Sequence, residues 1–194
     1  MQKESDLKVT LDACIIFRLV LCDTLLTFAE IKLYKPIWSN KILDEVFKAS
    51  RRNLSREKNL GLENRVNQMN KTFNEAIFEA PVDLISQLKP ILPDTDDAHV
   101  VATAIASDSK YIVTQNLRDY PEHVLSPFGI EALSFDSFMS LLFADGPEDV
   151  MRGLSKLIES KSNPTISLRE HLLQIESYSQ NFNRKVREHL QNNS

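Results

Sequence analysis

The chain has 194 residues, 42% of them hydrophobic and 26% charged, with a net charge of −4. This suits one substantial globular domain with an appendage, and it excludes a protein coated in positive charge for general DNA binding. The longest early apolar run, "ACIIFRLVLC", is broken by Arg18 and too short to span a bilayer, and no signal peptide is visible, so the chain reads as cytoplasmic, soluble and away from membranes.

In chain order, "LKVTLD" (7–12) reads as a short strand ending on an acid. The apolar spacing of 21–33 predicts a helix. "YKPIWS" reads as an extended piece, after which Ser39 is placed to cap a helix over "NKILDEVFKASRRN". Residues 55–74 carry a weaker helical stripe through Leu62, Val66, Met69 and Phe73, and "VDLISQLKPI" a short helix or turn. Pro93 precedes an acidic helix start, with a small-residue helix over 96–107. "YIVTQ" (111–115) and "IEALS" (130–134) read as strands, with "FDSFMSLLFA" as another helix. Gly146-Pro147 marks a boundary. Beyond it lie two polar helices, about 147–161 and 167–190, the second read as an appended arm with few apolar anchors. The organisation expected is a domain over 7–145 and a helical extension over 146–194.

Strands alternating with helices predict an α/β fold with a mainly parallel sheet, whose sites lie at the carboxyl ends of strands. That edge is where the acids fall. Asp12 ends the first strand, Asp96 and Asp97 open the helix feeding the "YIVTQ" strand, Asn116 and Asp119 follow that strand, and Glu45 lies in the helix after "KPIWS". Carboxylates repel one another, so several in one pocket without a lysine partner imply a bound divalent cation. Oxygen-only ligands suit Mg²⁺ or Mn²⁺ and not zinc, and such an ion can orient water for phosphodiester hydrolysis.

Each residue has an ordinary role beside the chemical one. Asp12 suits a strand-end turn, Glu45 a solvated helix face, Asp96 and Asp97 the first turn of a helix, and Asp119 a loop beside Arg118. His99, two residues from Asp97, does not share its helix face and reads as a packed or surface histidine. Cys14 and Cys22 form no CxxC and read as packed thiols. No Ser/His/Asp set or phosphate-binding glycine loop appears. The basic run "KASRRNLSREK" begins one turn after Glu45, and Arg51, Arg52 and Arg56 are placed to hold RNA phosphates there or else to form a solvated helix face. Tyr34 and Trp38 lie near the same strand end, able to stack a base but, for Trp38, better suited to the core.

In order, "VTLDACIIF", "LYKPIWSNKILDEVFKASRRNL", "PDTDDAHVVATAIASDSKYIVTQNLRDYP" and "FGIEALSFDSFM" resemble the PIN-domain family, specifically its VapC-like toxin-component branch. The likeness covers roughly residues 7–145 and rests most on the long third motif. It implies a PIN-like α/β/α sandwich with added C-terminal helices. The family's acids match Asp12, Glu45 and Asp97, and its fourth position falls on Asn116, with Asp119 able to supply the missing carboxylate and Thr114 matching a site hydroxyl. The resemblance implies Mg²⁺ or Mn²⁺ on these groups, a metal-bound water cutting single-stranded RNA, a small antitoxin partner and a homodimer. Cys14 and Asn116 depart from the pattern.

Two other functions compete with this endoribonuclease reading. A non-catalytic PIN-like module would bind RNA or protein without cutting. A phosphatase with a nucleophilic aspartate would want a second aspartate two residues after Asp12, where Cys14 stands.

Overall fold

The computed structural model describes residues 5–161 and 164–193. At its centre is a four-stranded sheet in the order β2-β1-β3-β4, with every neighbouring pair parallel: β1 (Lys8–Leu11), β2 (Lys35–Ile37), β3 (Tyr111–Val113) and β4 (Glu131–Leu133). β1 is central, with Thr10 beside Ile37 on one side and Ile112 on the other. Sheets covered on both faces need apolar strands, and Val9, Leu11, Ile112 and Val113 are fully buried. The polar exception, Thr10, gives its hydroxyl hydrogen to Ser109 at 2.9 Å. Beyond β2, Trp38 and Ile77 form an isolated parallel bridge that covers part of this edge.

The helices are α1 (Ala13–Phe17), α2 (Leu19–Glu30), α3 (Asn40–Asn53), α4 (Arg56–Thr72), α5 (Val82–Leu88), α6 (Ala98–Ser107), α7 (Glu122–Leu125), α8 (Phe135–Asp145), α9 (Pro147–Ser160), α10 (Leu168–Ile175) and α11 (Gln180–Asn192). They gather in two sets around the sheet. In the first, α1 and α6 pack on α3, and α6 on α5 and β1. In the second, α2 and α8 pack on α9, and α8 on β4 and α11. The result is the α/β/α sandwich expected. Serine side chains start several helices by accepting an orphan backbone N–H, among them Ser39, which accepts from Ile42.

Local differences from the sequence reading have physical causes. The run after Asp12 is already helical as α1, where the stripe suggested a helix only from residue 21. Its five residues are too few to show a period of their own. Residues Thr95–Asp97 form a 3-10 turn, so α6 proper starts at Ala98. The expected last helix is two, bent at the 3-10 turn Glu176–Tyr178.

These last helices do not project as an arm. Leu172, Ile175, Phe182 and Val186 are buried in the common core, although Leu173 stays 57% exposed. Asp136 of α8 ties α11 down by accepting from the backbone N–H of Asn181 and Phe182. Among the described residues no helix is long and apolar enough to cross a membrane.

Candidate active site

Asp12 follows the last residue of the central strand, and its backbone carbonyl opens α1 by accepting from the N–H of Ile15 and Ile16. Its side chain makes no capping bond. A turn aspartate would use its carboxylate on that backbone; this one, only 4% exposed, turns it to side chains instead. The Thr114 hydroxyl donates to Oδ2 of Asp12 at 2.6 Å, and the Cys14 thiol donates to the same oxygen at 3.1 Å. Thr114, fully buried just past β3, also accepts from the Asn116 backbone N–H. Burial and the neighbouring Asp12 charge push the Cys14 thiol up to about 12, so it stays protonated as a donor.

The acidic run before α6 divides its work. Asp94 takes the local turn role, accepting from Asp96 N–H at 2.9 Å. Asp97 stands at the N-cap position of α6 with no side-chain capping bond. Its carboxyl is pushed up to about 7, first by burial and then by the charges of Asp12, Asp94 and Asp119. Those shared fields bring Asp12, Asp97 and Asp119 into one region. No lysine or arginine pairs with any of them among the described residues. Asn116 is exposed beside them.

Tyr120 completes this pocket and escaped the sequence reading. It is 3% exposed, and its hydroxyl has no hydrogen-bond partner. The hydroxyl lies near enough to Asp97 to favour the charged carboxylate, yet short of a well-formed hydrogen bond. Burial and the charges of Asp12 and Asp97 raise its own pKa well above that of an ordinary phenol. A tyrosine directly after Asp119 is not distinguishable in sequence from a core aromatic.

Glu45 reaches the same end of α6 by another route. From α3 its Oε1 meets Nε2 of His99 at 2.7 Å, in the first turn of α6. Arg51, Arg52 and Arg56 are exposed at the end of α3 and the start of α4. α3 is continuous from Glu45 to Arg52, and seven residues make nearly two full turns. Arg52 therefore shares the Glu45 face about 10 Å along the axis, and Arg51 is turned away from it. Trp38 is fully buried, its indole N–H donating to Asn70, and Tyr34 is buried with its hydroxyl on the Leu25 carbonyl. Neither can stack a base.

The donor set fits a hard divalent cation in its chemistry, since it offers carboxylate oxygens whose mutual repulsion no paired lysine or arginine among the described residues offsets. No cage is preformed: among the described residues no three His, Cys, Asp or Glu side chains are gathered closely enough to hold an ion. A cavity of about 710 Å³ lies at the opposite end of the sheet, where Lys8 and Lys35 begin their strands.

No curated protein and no solved structure matches the chain. A family model described as PIN domain matches residues 8–118, a span that holds β1 to β3 and Asp12, Glu45, Asp97, Thr114 and Asn116, and stops one residue short of Asp119. With more than half of the chain matched, a parallel sheet of this order and acids at its carboxyl edge, the chain belongs to the PIN-domain family, whose members are generally nucleases.

Proposed function

We propose that the protein is a metal-dependent endoribonuclease acting on single-stranded RNA, of the VapC-like toxin type. The observation that carries this reading is the nearly buried Asp12, its Oδ2 held by Thr114 and Cys14, within the field of Asp97, whose carboxyl burial and the charges of Asp12, Asp94 and Asp119 push up. A site built this way is at odds with itself until positive charge enters it.

Asp12, Asp97 and Asp119 would hold Mg²⁺ or Mn²⁺, with Asn116 and Glu45 as further oxygen donors. The bound ion supplies positive charge against the carboxylates and polarises a phosphodiester oxygen. The chain does the rest. Thr114 and Cys14 fix Oδ2 of Asp12, and Oδ1 would be the oxygen offered to the ion. Glu45, with Oε1 on His99, keeps Oε2 to take a proton from water. Arg52, on the same face of α3, holds a neighbouring phosphate. A small antitoxin would cover the acidic pocket or the RNA path, and self-association follows the same family pattern.

The test is cleavage of single-stranded RNA by the purified protein freed of any antitoxin. Cutting is expected with Mg²⁺ or Mn²⁺, none with EDTA, and none by Asp12→Asn. Activity surviving in Asp12→Asn would remove that residue from the site. Asn116, where an acid would add charge, favours a second reading, an RNA- or protein-binding module that does not cut. Calorimetric titration separates the two, because an inert module shows no tight Mn²⁺ site.

A further inference from the structure

Glu45 and His99 make the shortest side-chain contact to any of the proposed site acids outside the Asp12–Thr114 pair, and ordinary surface chemistry does not account for it. Glu45 lies on a helix face where a carboxylate could extend into water; its side chain is 30% exposed. It instead bends to a histidine that is 1% exposed and comes from a different helix. The Nε2–Oε1 separation is 2.7 Å, in the range of a charge-assisted bond. The other ring nitrogen, Nδ1, is buried without a partner. Leaving a buried polar atom unpaired is destabilising, so an aliphatic residue at this point in the core would serve packing better.

We infer that His99 is a positioning residue that fixes the Glu45 carboxylate against the start of α6, the helix that Asp97 opens. In the neutral ring Nε2 carries the hydrogen and donates it to Oε1. The ring is rigid and packed on every side, so it sets where Glu45 can point. His99 stands in the first turn of α6, two residues after Asp97, so a histidine pinned there registers α3 against the element that carries Asp97. The Glu45 carboxylate is thereby held at the start of α6 and not released to solvent. The inference rests on Glu45 belonging to the acid site; the bond from His99 is independent of that.

The experiment uses the full chain and two readouts. The first is the Glu45 side-chain carboxyl ¹³C resonance in metal-free protein. The second is Mn²⁺ affinity by calorimetry. His99→Asn keeps an amide but is too short to reach, whereas His99→Gln places an amide N–H near the Nε2 position. We expect His99→Asn to shift the Glu45 resonance and to weaken Mn²⁺ about 10- to 100-fold, the usual effect of losing a residue that orients a ligand. His99→Gln should restore both. A residue serving only to fill space predicts no recovery by Gln, and that result, or an unmoved Glu45 resonance in folded His99→Asn, overturns the inference. Wild-type protein without any Mn²⁺ site would sink the proposed function instead, and the resonance would still decide whether His99 holds Glu45.

Discussion

Thr114 and Asp12, 102 positions apart in the chain, meet at 2.6 Å, with the hydroxyl donating to Oδ2 of a nearly buried carboxylate. The bond fixes one oxygen of Asp12. Thr114→Val keeps the volume and removes the donor. RNA cleavage should fall at least about tenfold with the fold intact by circular dichroism, and Thr114→Ser should retain most of it. Activity kept in Val and lost in Ser would show that the methyl group, not the hydroxyl, matters.

Asp97 gives the protein a pH signature. Its carboxyl is held at about 7 against an ordinary 3.8, so between those values the folded chain keeps a proton that the unfolded chain has released. The corresponding stability is complete below the unfolded value and is lost as pH rises through about 7. Metal-free protein should therefore lose melting temperature through this group as pH rises from 3.8 to about 7, and Asp97→Asn should flatten that slope in a calorimetric series. Mn²⁺ competes with the same proton, so its affinity should climb with pH up to about 7 and then level off. A Mn²⁺ affinity that is flat across this range would disconnect Asp97 from the ion.

The turn of α3 separates two neighbouring arginines. Arg52 shares the Glu45 face and Arg51 does not. With a non-cleavable RNA, Arg52→Ala should weaken binding more than Arg51→Ala. It should also reduce the slope of log affinity against log salt by about 0.7, one phosphate on a single strand. Equal losses would mean that the run acts as diffuse charge.

Away from the pocket, α9 crosses α2 at Gly153, where an added Cβ would lie 2.4 Å from the Phe28 ring. The ring is fully buried, and protein cores are close-packed. Gly153→Ala gains helix propensity yet should destabilise the protein by about 1–3 kcal/mol, measured by urea unfolding. A stabilised variant would show that the two helices can separate cheaply.

Much of this was legible in the chain because it depends on local pattern. The strand "LKVTLD" and the helix after Ser39 carry period and cap signals that need no partner. The alternation of elements foretold a parallel sheet with acids at one edge, since topology constrains where strand ends go. What sequence could not supply was pairing across distance. Nothing near His99 marks Glu45 as its partner, 54 positions away on another helix. Tyr120 looks like any core aromatic until Asp12 and Asp97 are seen beside it. The C-terminal helices seemed poor in anchors because Leu172, Ile175, Phe182 and Val186 are divided between two short helices, and only the bend at 176–178 brings them to one face.

The central place of β1 has a bearing on how the protein is made. β1 leaves the ribosome first among the strands, but one of its edges waits for residues 111–113, and Asp12 waits for the hydroxyl of residue 114. Contacts between segments so far apart form slowly and late. A growing polypeptide that ends before residue 114 can have no acid pocket, so any cutting activity is withheld from unfinished chains until most of the protein has been translated.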